Sequence, residues 1–207
     1  MKQLVVFAVP VLVAFLTACS DTTTTTEKKT EEKVEPATGL TAVFRMYQAA
    51  RTWAPDAQIL KLSSMHITDG PEGPRGSGAM AAWQATFVSD AKSQARTYTY
   101  SVVESEGNLH KGAFAGQSES WGGAHGVEAP FPIQAVKIDT DAAFKTALTK
   151  AAEYDKKNPT MQIVYMLEKT TKHPDPAWRI VWGDSVATSA MSILVDASTG
   201  SYLETVH

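Results

Sequence analysis

The chain has 207 residues, of which 43% are hydrophobic and 20% charged, with a net charge of −3 and a single cysteine. A balance this mildly acidic, with no basic tract, excludes the concentrated positive footprint that nucleic acid binding needs. One cysteine excludes an intramolecular disulfide.

Taken in chain order, Met1-Lys2-Gln3 is a short positive start, and Leu4 to Leu16 runs apolar without a charge. A membrane-spanning helix needs about 20 apolar residues to cross about 30 Å of hydrocarbon. This run is shorter and contains Pro10, so it reads as the apolar core of an export signal. Leu16-Thr17-Ala18-Cys19 resembles the lipobox of bacterial lipoproteins. That resemblance implies lipid on the Cys19 thiol, cleavage before Cys19, and a membrane as the first partner. Two or more acyl chains, at about 0.8 kcal/mol per buried CH₂, make such an anchor stable. Ser20 follows the cysteine; in the Gram-negative lipoproteins that the motif resembles, serine there favours the outer membrane, facing the periplasm.

Residues 1–18 are therefore expected to form the signal peptide and 19–39 a lipidated, disordered tether. Its Thr/Glu/Lys-rich composition buries too little apolar surface to offset the entropy of ordering it. At about 5–6 Å × √n, some twenty residues give a reach of about 25 Å.

The remainder, 40–207, reads as two units of similar order. Leu40, Val43, Phe44, Tyr47 and Ala50 recur at helical spacing, and Pro55 ends that helix. Gln58–Leu62 reads as a strand. A Gly/Pro-rich loop spans 68–79, and alternating strands follow at 83–87 and 98–102. The second unit opens with Asp139 or Thr140 capping a helix that carries Ala143, Phe144, Ala147, Leu148 and Ala151. Strands are expected at 162–167, 178–182, 192–195 and 201–206. Pro55, Gln58 and Ile59 each find their like 104 residues later, and Trp83 and Phe87 find Trp178 and Trp182 95 later. An ordered set of matches points to internal duplication. The expected units are 40–115 and 136–207, joined by a Gly-rich interdomain segment, 116–135. Trp53, Trp83, Trp178 and Trp182 are expected to supply much of the burial the units share.

Ile138-Asp139-Thr140-Asp141-Ala142-Ala143, the Trp178-to-Trp182 strand and Val195-Asp196-Ala197-Ser198-Thr199-Gly200 resemble a PepSY-like domain. The resemblance covers about 70 residues; in the first unit Glu104-Ser105-Glu106-Gly107 replaces the final signature. It implies an α+β, cystatin-like two-layer fold: in each unit an N-terminal helix packed on three to four antiparallel strands. It also implies binding to, or inhibition of, another envelope protein or peptide, and it carries no catalytic residues.

The chemistry visible in the residues is sparse. The five histidines form no H-x-x-x-H or H-E-x-x-H pattern, so neither a metal nor another cofactor is expected. Gly116-Gln117-Ser118-Glu119-Ser120 resembles a nucleophile elbow except at its last residue, which leaves a hydrolase using Ser118, Glu119 and His125 as an alternative. A purely structural envelope lipoprotein is a third reading. Two features stand as candidate binding residues. Trp121, set among glycines, either plugs the seam between units, the favoured placement, or projects as an anchor. Arg75 lies in the 68–79 loop, which has no counterpart in the second unit.

Overall fold

The computed structural model describes residues 34–68, 70–105, 107, 109–124 and 128–206. The signal, Cys19, most of the tether and His125 lie outside the described residues.

Helix α1 (Gly39–Trp53) is followed by strands β2 (Gln58–Met65), β4 (Ala82–Ser89), β5 (Gln94–Ser101) and β6 (Gly112–Ser120). Helix α2 (Thr140–Lys157) is followed by β7 (Ile163–Glu168), β8 (Ala177–Trp182), β9 (Met191–Asp196) and β10 (Tyr202–Val206). Two-residue strands β1 (Ala37–Thr38) and β3 (Ala79–Met80) pair in a small separate sheet. The other eight strands form one antiparallel sheet in the order β10-β9-β8-β7-β2-β4-β5-β6. The first strand after each helix therefore meets its counterpart at the centre, and each later strand extends one half outward. Helix α1 packs on β4, β5 and β6, and α2 on β8, β9 and β10. The protein is thus α+β, with both helices on one face of a single sheet.

Strand formation follows side-chain alternation. In β8, Trp178, Ile180 and Trp182 join the core cluster under the helices, and all three are fully buried. In β4, Trp83, Ala85 and Phe87 do the same. Trp83 and Trp178 each remove about 150–250 Å² from water, about 4–6 kcal/mol of transfer free energy apiece. Each indole also has a polar partner. Trp83 Nε1 donates to the carbonyl of Ala37 at 2.9 Å, and Trp178 Nε1 to that of Ile138 at 2.7 Å. Both carbonyls belong to the residue just before a helix N-cap.

The two helix starts meet there. Thr38, the N-cap of α1, makes no capping bond of its own. Its place is taken from the other helix. Asp139, the N-cap of α2, accepts from Thr140 N–H at 2.7 Å and from Leu40 N–H at 3.0 Å. Thr140, fully buried, accepts from Gly39 N–H at 3.1 Å and donates to the Gly78 carbonyl at 2.8 Å. Gly39 has no room for a side chain: a Cβ would stand 2.6 Å from Trp178 Cη2 and 3.1 Å from Trp83 Cη2. Gly78 adopts φ +66°, and its Cβ would meet Thr140 Oγ1 and Asp141 N at 2.5 Å.

The V-D-A-S-T-G stretch makes the β9–β10 hairpin. Asp196 accepts from Ser198 N–H and Thr199 N–H, each at 2.8 Å, and Gly200 takes φ +79°. The neighbouring Ala197 carbonyl receives Lys137 N–H and Ile138 N–H, which fixes the entry to α2.

Several expectations change. The segment assigned to the interdomain link begins as strand: β6 runs to Ser120, so the first half ends there and not at 115. As an edge strand β6 is largely exposed and carries no apolar alternation to reveal it. The tether ends earlier than 39, because Ala37 is buried in β1 and Gly39 in α1. Phe44 is 44% exposed, since α1 turns Ala42, Val43, Met46 and Ala50 inward. Of the four tryptophans, Trp53 is only partly buried.

Asp139→Ala removes the cap of α2 and a bond that α1 depends on. It should cost about 2 kcal/mol or more in a urea titration, while Thr38→Ala should stay within about 0.5 kcal/mol. Equal losses in the two variants would contradict capping across the helices.

Candidate functional site

The β2–β7 contact joins the two halves of the sheet, and it is short. Lys61, Leu62 and Ser63 pair with Glu168, Leu167 and Met166. The next rung is made by a side chain, because Tyr165 N–H donates to Ser64 Oγ at 3.0 Å. Past it the strands separate and a cavity of about 720 Å³ opens.

The loop between β2 and β4 forms one wall of that cavity. Gly78 is held at the start of α2 by Thr140. Gly76 lies against Phe144, where a Cβ would stand 2.9 Å from the ring. Arg75 reaches the far end of the same helix. Its Nε and Nη2 donate to Asp155 Oδ1 at 3.2 and 2.6 Å, and Nη1 donates to the Met161 carbonyl at 2.6 Å. The loop is therefore a strap lying along α2. Across from it stand Pro159, Met161 and Ile163, while Glu72, His66 and Asp184 supply charge or titratable groups at the lining. His66 Nδ1 is 3.7 Å from Glu72 Oε1. Tyr165 is 2% exposed in this wall, and burial holds its hydroxyl well above the usual tyrosine range.

Asp155 anchors the strap. Burial disfavours its charge, but bonds from Arg75 and from Trp182 Nε1, the latter at 2.9 Å, outweigh burial and hold its carboxyl below the ordinary value. The expected candidate Arg75 thus lines the cavity with its guanidinium engaged inside the protein, so its first task is to close the strap.

Trp121 does not lie at the seam, its favoured place. Its indole donates to Asp90 Oδ1 at 3.0 Å, and its N–H donates to the Ser93 carbonyl at 2.9 Å. That sets it against the β4–β5 turn at the outer end of the sheet, away from the β2–β7 seam. Ser118 sits within β6 opposite Arg96, and no strand-to-helix turn presents it. Glu119, the next strand residue, points to the opposite face. His110 is paired with Glu104 Oε1 at 2.5 Å. Among the described residues no cluster of three His, Cys, Asp or Glu side chains is spaced to hold a metal ion. No helix among them is long and apolar enough to cross a membrane.

Sequence reasoning missed the cavity because its walls come from separated stretches, 66–80, 159–165 and 183–184. One signal was present: the strap is the stretch of the first half with no counterpart in the second.

No family model matches the chain, and no curated protein matches it. Among solved structures, the chain is similar to a Clostridium difficile 630 protein provisionally described as a lipoprotein. The TM-score is 0.45 at 11% identity, over 80% of this chain and 91% of that one.

Arg75→Ala should release the strap. Limited proteolysis should then cut within 70–78 at protease levels that leave the parent intact. Asp155 has a lowered folded pKa, so its contribution to stability is present above its ordinary value and is lost as pH falls through the folded one. Acid unfolding of Arg75→Ala should therefore begin at higher pH than in the parent. Superimposable acid-unfolding curves would contradict the role given to this pair.

Proposed function

We propose that the chain is a lipid-anchored protein of the bacterial envelope that acts as a non-catalytic binding or regulatory module. It is held to a membrane through Cys19, on the outer membrane facing the periplasm if the cell has one. Its body consists of two PepSY-like units fused through their first strands. The observation that carries the binding reading is the cavity at the junction, walled by both halves of the sheet and by the strap. A volume of about 720 Å³ is within the range of pockets that enclose ligands. The anchor rests on the lipobox, and the duplicated organisation on the ordered sequence matches together with the twice-repeated order of a helix and four strands.

Two measurements test this reading. Metabolic labelling with palmitate should mark the parent, and the mark should vanish in Cys19→Ala together with membrane retention. A photo-crosslinking residue placed at the exposed Thr160, beside the cavity, should yield a discrete adduct in the living envelope. The same residue at Glu119, on the far edge strand, should not. Indistinguishable adduct patterns from the two positions would remove the binding reading.

A further inference from the structure

The seam has two ends, and the protein fills one of them with its own chain. Beyond Lys61 and Glu168, residues 128–131 lie between the parting strands. Ile59 N–H donates to the Phe131 carbonyl at 2.9 Å, and Phe131 N–H to the Ile59 carbonyl at 2.8 Å. On the other side Ala129 N–H donates to the Lys169 carbonyl at 3.0 Å. The inserted segment is Glu128-Ala129-Pro130-Phe131, and Phe131 is 1% exposed.

The cavity occupies the opposite end. Ile163 holds the place in β7 that Ile59 holds in β2, near the start of the first strand after the helix and 104 residues on. The Gln162 carbonyl accepts from Gly183 N–H, on the β8 side. Antiparallel alternation then turns the N–H and C=O of Ile163 toward the seam. Tyr165, two residues on, faces the same way, as its bond to Ser64 shows. No described residue hydrogen-bonds to the seam-side groups of Ile163. The slot is bordered across from Ile163 by His66, just past β2, as the filled slot is bordered by Lys169 just past β7.

Charge narrows the occupant. The charge of Arg75 is met by Asp155, so Glu72 and Asp184 leave the lining acidic. Pro74, Met80, Pro159 and Met161 give it apolar surface, and Ser77, Thr160 and Gln162 give it uncharged polar groups.

We propose that the open end of the β2–β7 seam binds an extended peptide segment of apolar and polar residues carrying a basic side chain, which adds to Ile163 as a short strand. The proposal rests on the binding reading above and names its ligand class. Main-chain bonds supply attachment, and the acidic lining selects the basic side chain.

The test uses the lipidated protein in detergent micelles and a fluorescent hexapeptide, residues 127–132 of this chain carrying Glu128→Lys. That peptide should bind at least tenfold more tightly than the unchanged hexapeptide. N-methylation of the Phe131 amide, which would face Ile163, should weaken it at least tenfold. The double variant Glu72→Lys/Asp184→Lys, checked for an unchanged unfolding curve, should reverse the preference. Panning a random hexapeptide library should enrich Lys- or Arg-containing sequences. No enrichment, an N-methylated peptide that binds as well as the parent peptide, or an unreversed preference overturns the proposal. A specific adduct at Thr160 with no peptide bound would overturn the peptide assignment alone. Failure of both would remove the binding reading with it.

Discussion

Two helix N-termini meet above the middle of the sheet, and one carboxylate and one hydroxyl serve both. Each helix start carries roughly half a positive charge together with unsatisfied N–H groups, so an end-to-end meeting is unfavourable unless something acidic stands between them. Helix α1 brings no acid in its first turn. Asp139 supplies the negative charge and takes Leu40 N–H, while Thr140 takes Gly39 N–H. Around this polar centre the rings of Trp83 and Trp178 close on Gly39, and each donates to the carbonyl just before a cap. The long spans from Trp83 to Ala37 and from Trp178 to Ile138 tie each helix start to the second full-length strand of its half. Removing Asp139 or Thr140 leaves a helix end without its cap, and removing either indole leaves a main-chain carbonyl without its donor; both are costly.

The same centre sets the position of the cavity. The Thr140 hydroxyl also holds the Gly78 carbonyl, so the strap begins where the helices meet. From there it follows α2 to Asp155, which joins Arg75 on the strap to Trp182 on β8. The strap is pinned through Gly78 and Arg75 to the two ends of one helix, and it stands over the part of the seam where β2 and β7 have parted. The cavity therefore results from a three-rung junction covered by a loop that belongs to only one half.

Much of this was legible in the sequence. The helices and most long strands followed from periodicity, and the Asp139/Thr140 cap was readable from its place before the α2 pattern. The double role of that cap was not, because contacts at separations of 99 and 101 residues leave no local trace. Strand β6 escaped notice for a different reason. Gly-Ala-Phe-Ala-Gly-Gln-Ser-Glu-Ser has no buried face, and its strand state comes from pairing with β5. Arg75 was noticed as the cation in an unmatched loop, which located the cavity wall, but its partners Asp155 and Met161 lie 80 and 86 residues on. Trp121 drew attention through its glycine neighbours, yet it binds Asp90, on the turn between the two strands just before β6.

The contrast between the two ends of the seam follows from connectivity. After β6 the chain must cross from the sheet's outer edge to the start of α2. On that crossing residues 128–131 lie along Ile59 and Lys169 and satisfy the backbone there. Among the described residues the C-terminal half supplies no matching segment beside Ile163. The link from β6 to α2 therefore closes one end of the junction, and the strap stands over the other. The strap covers that end without pairing to Ile163. Unpaired strand groups are stable only where water or another chain reaches them, and a slot kept open at the centre of the sheet, with an acidic lining, gives both access.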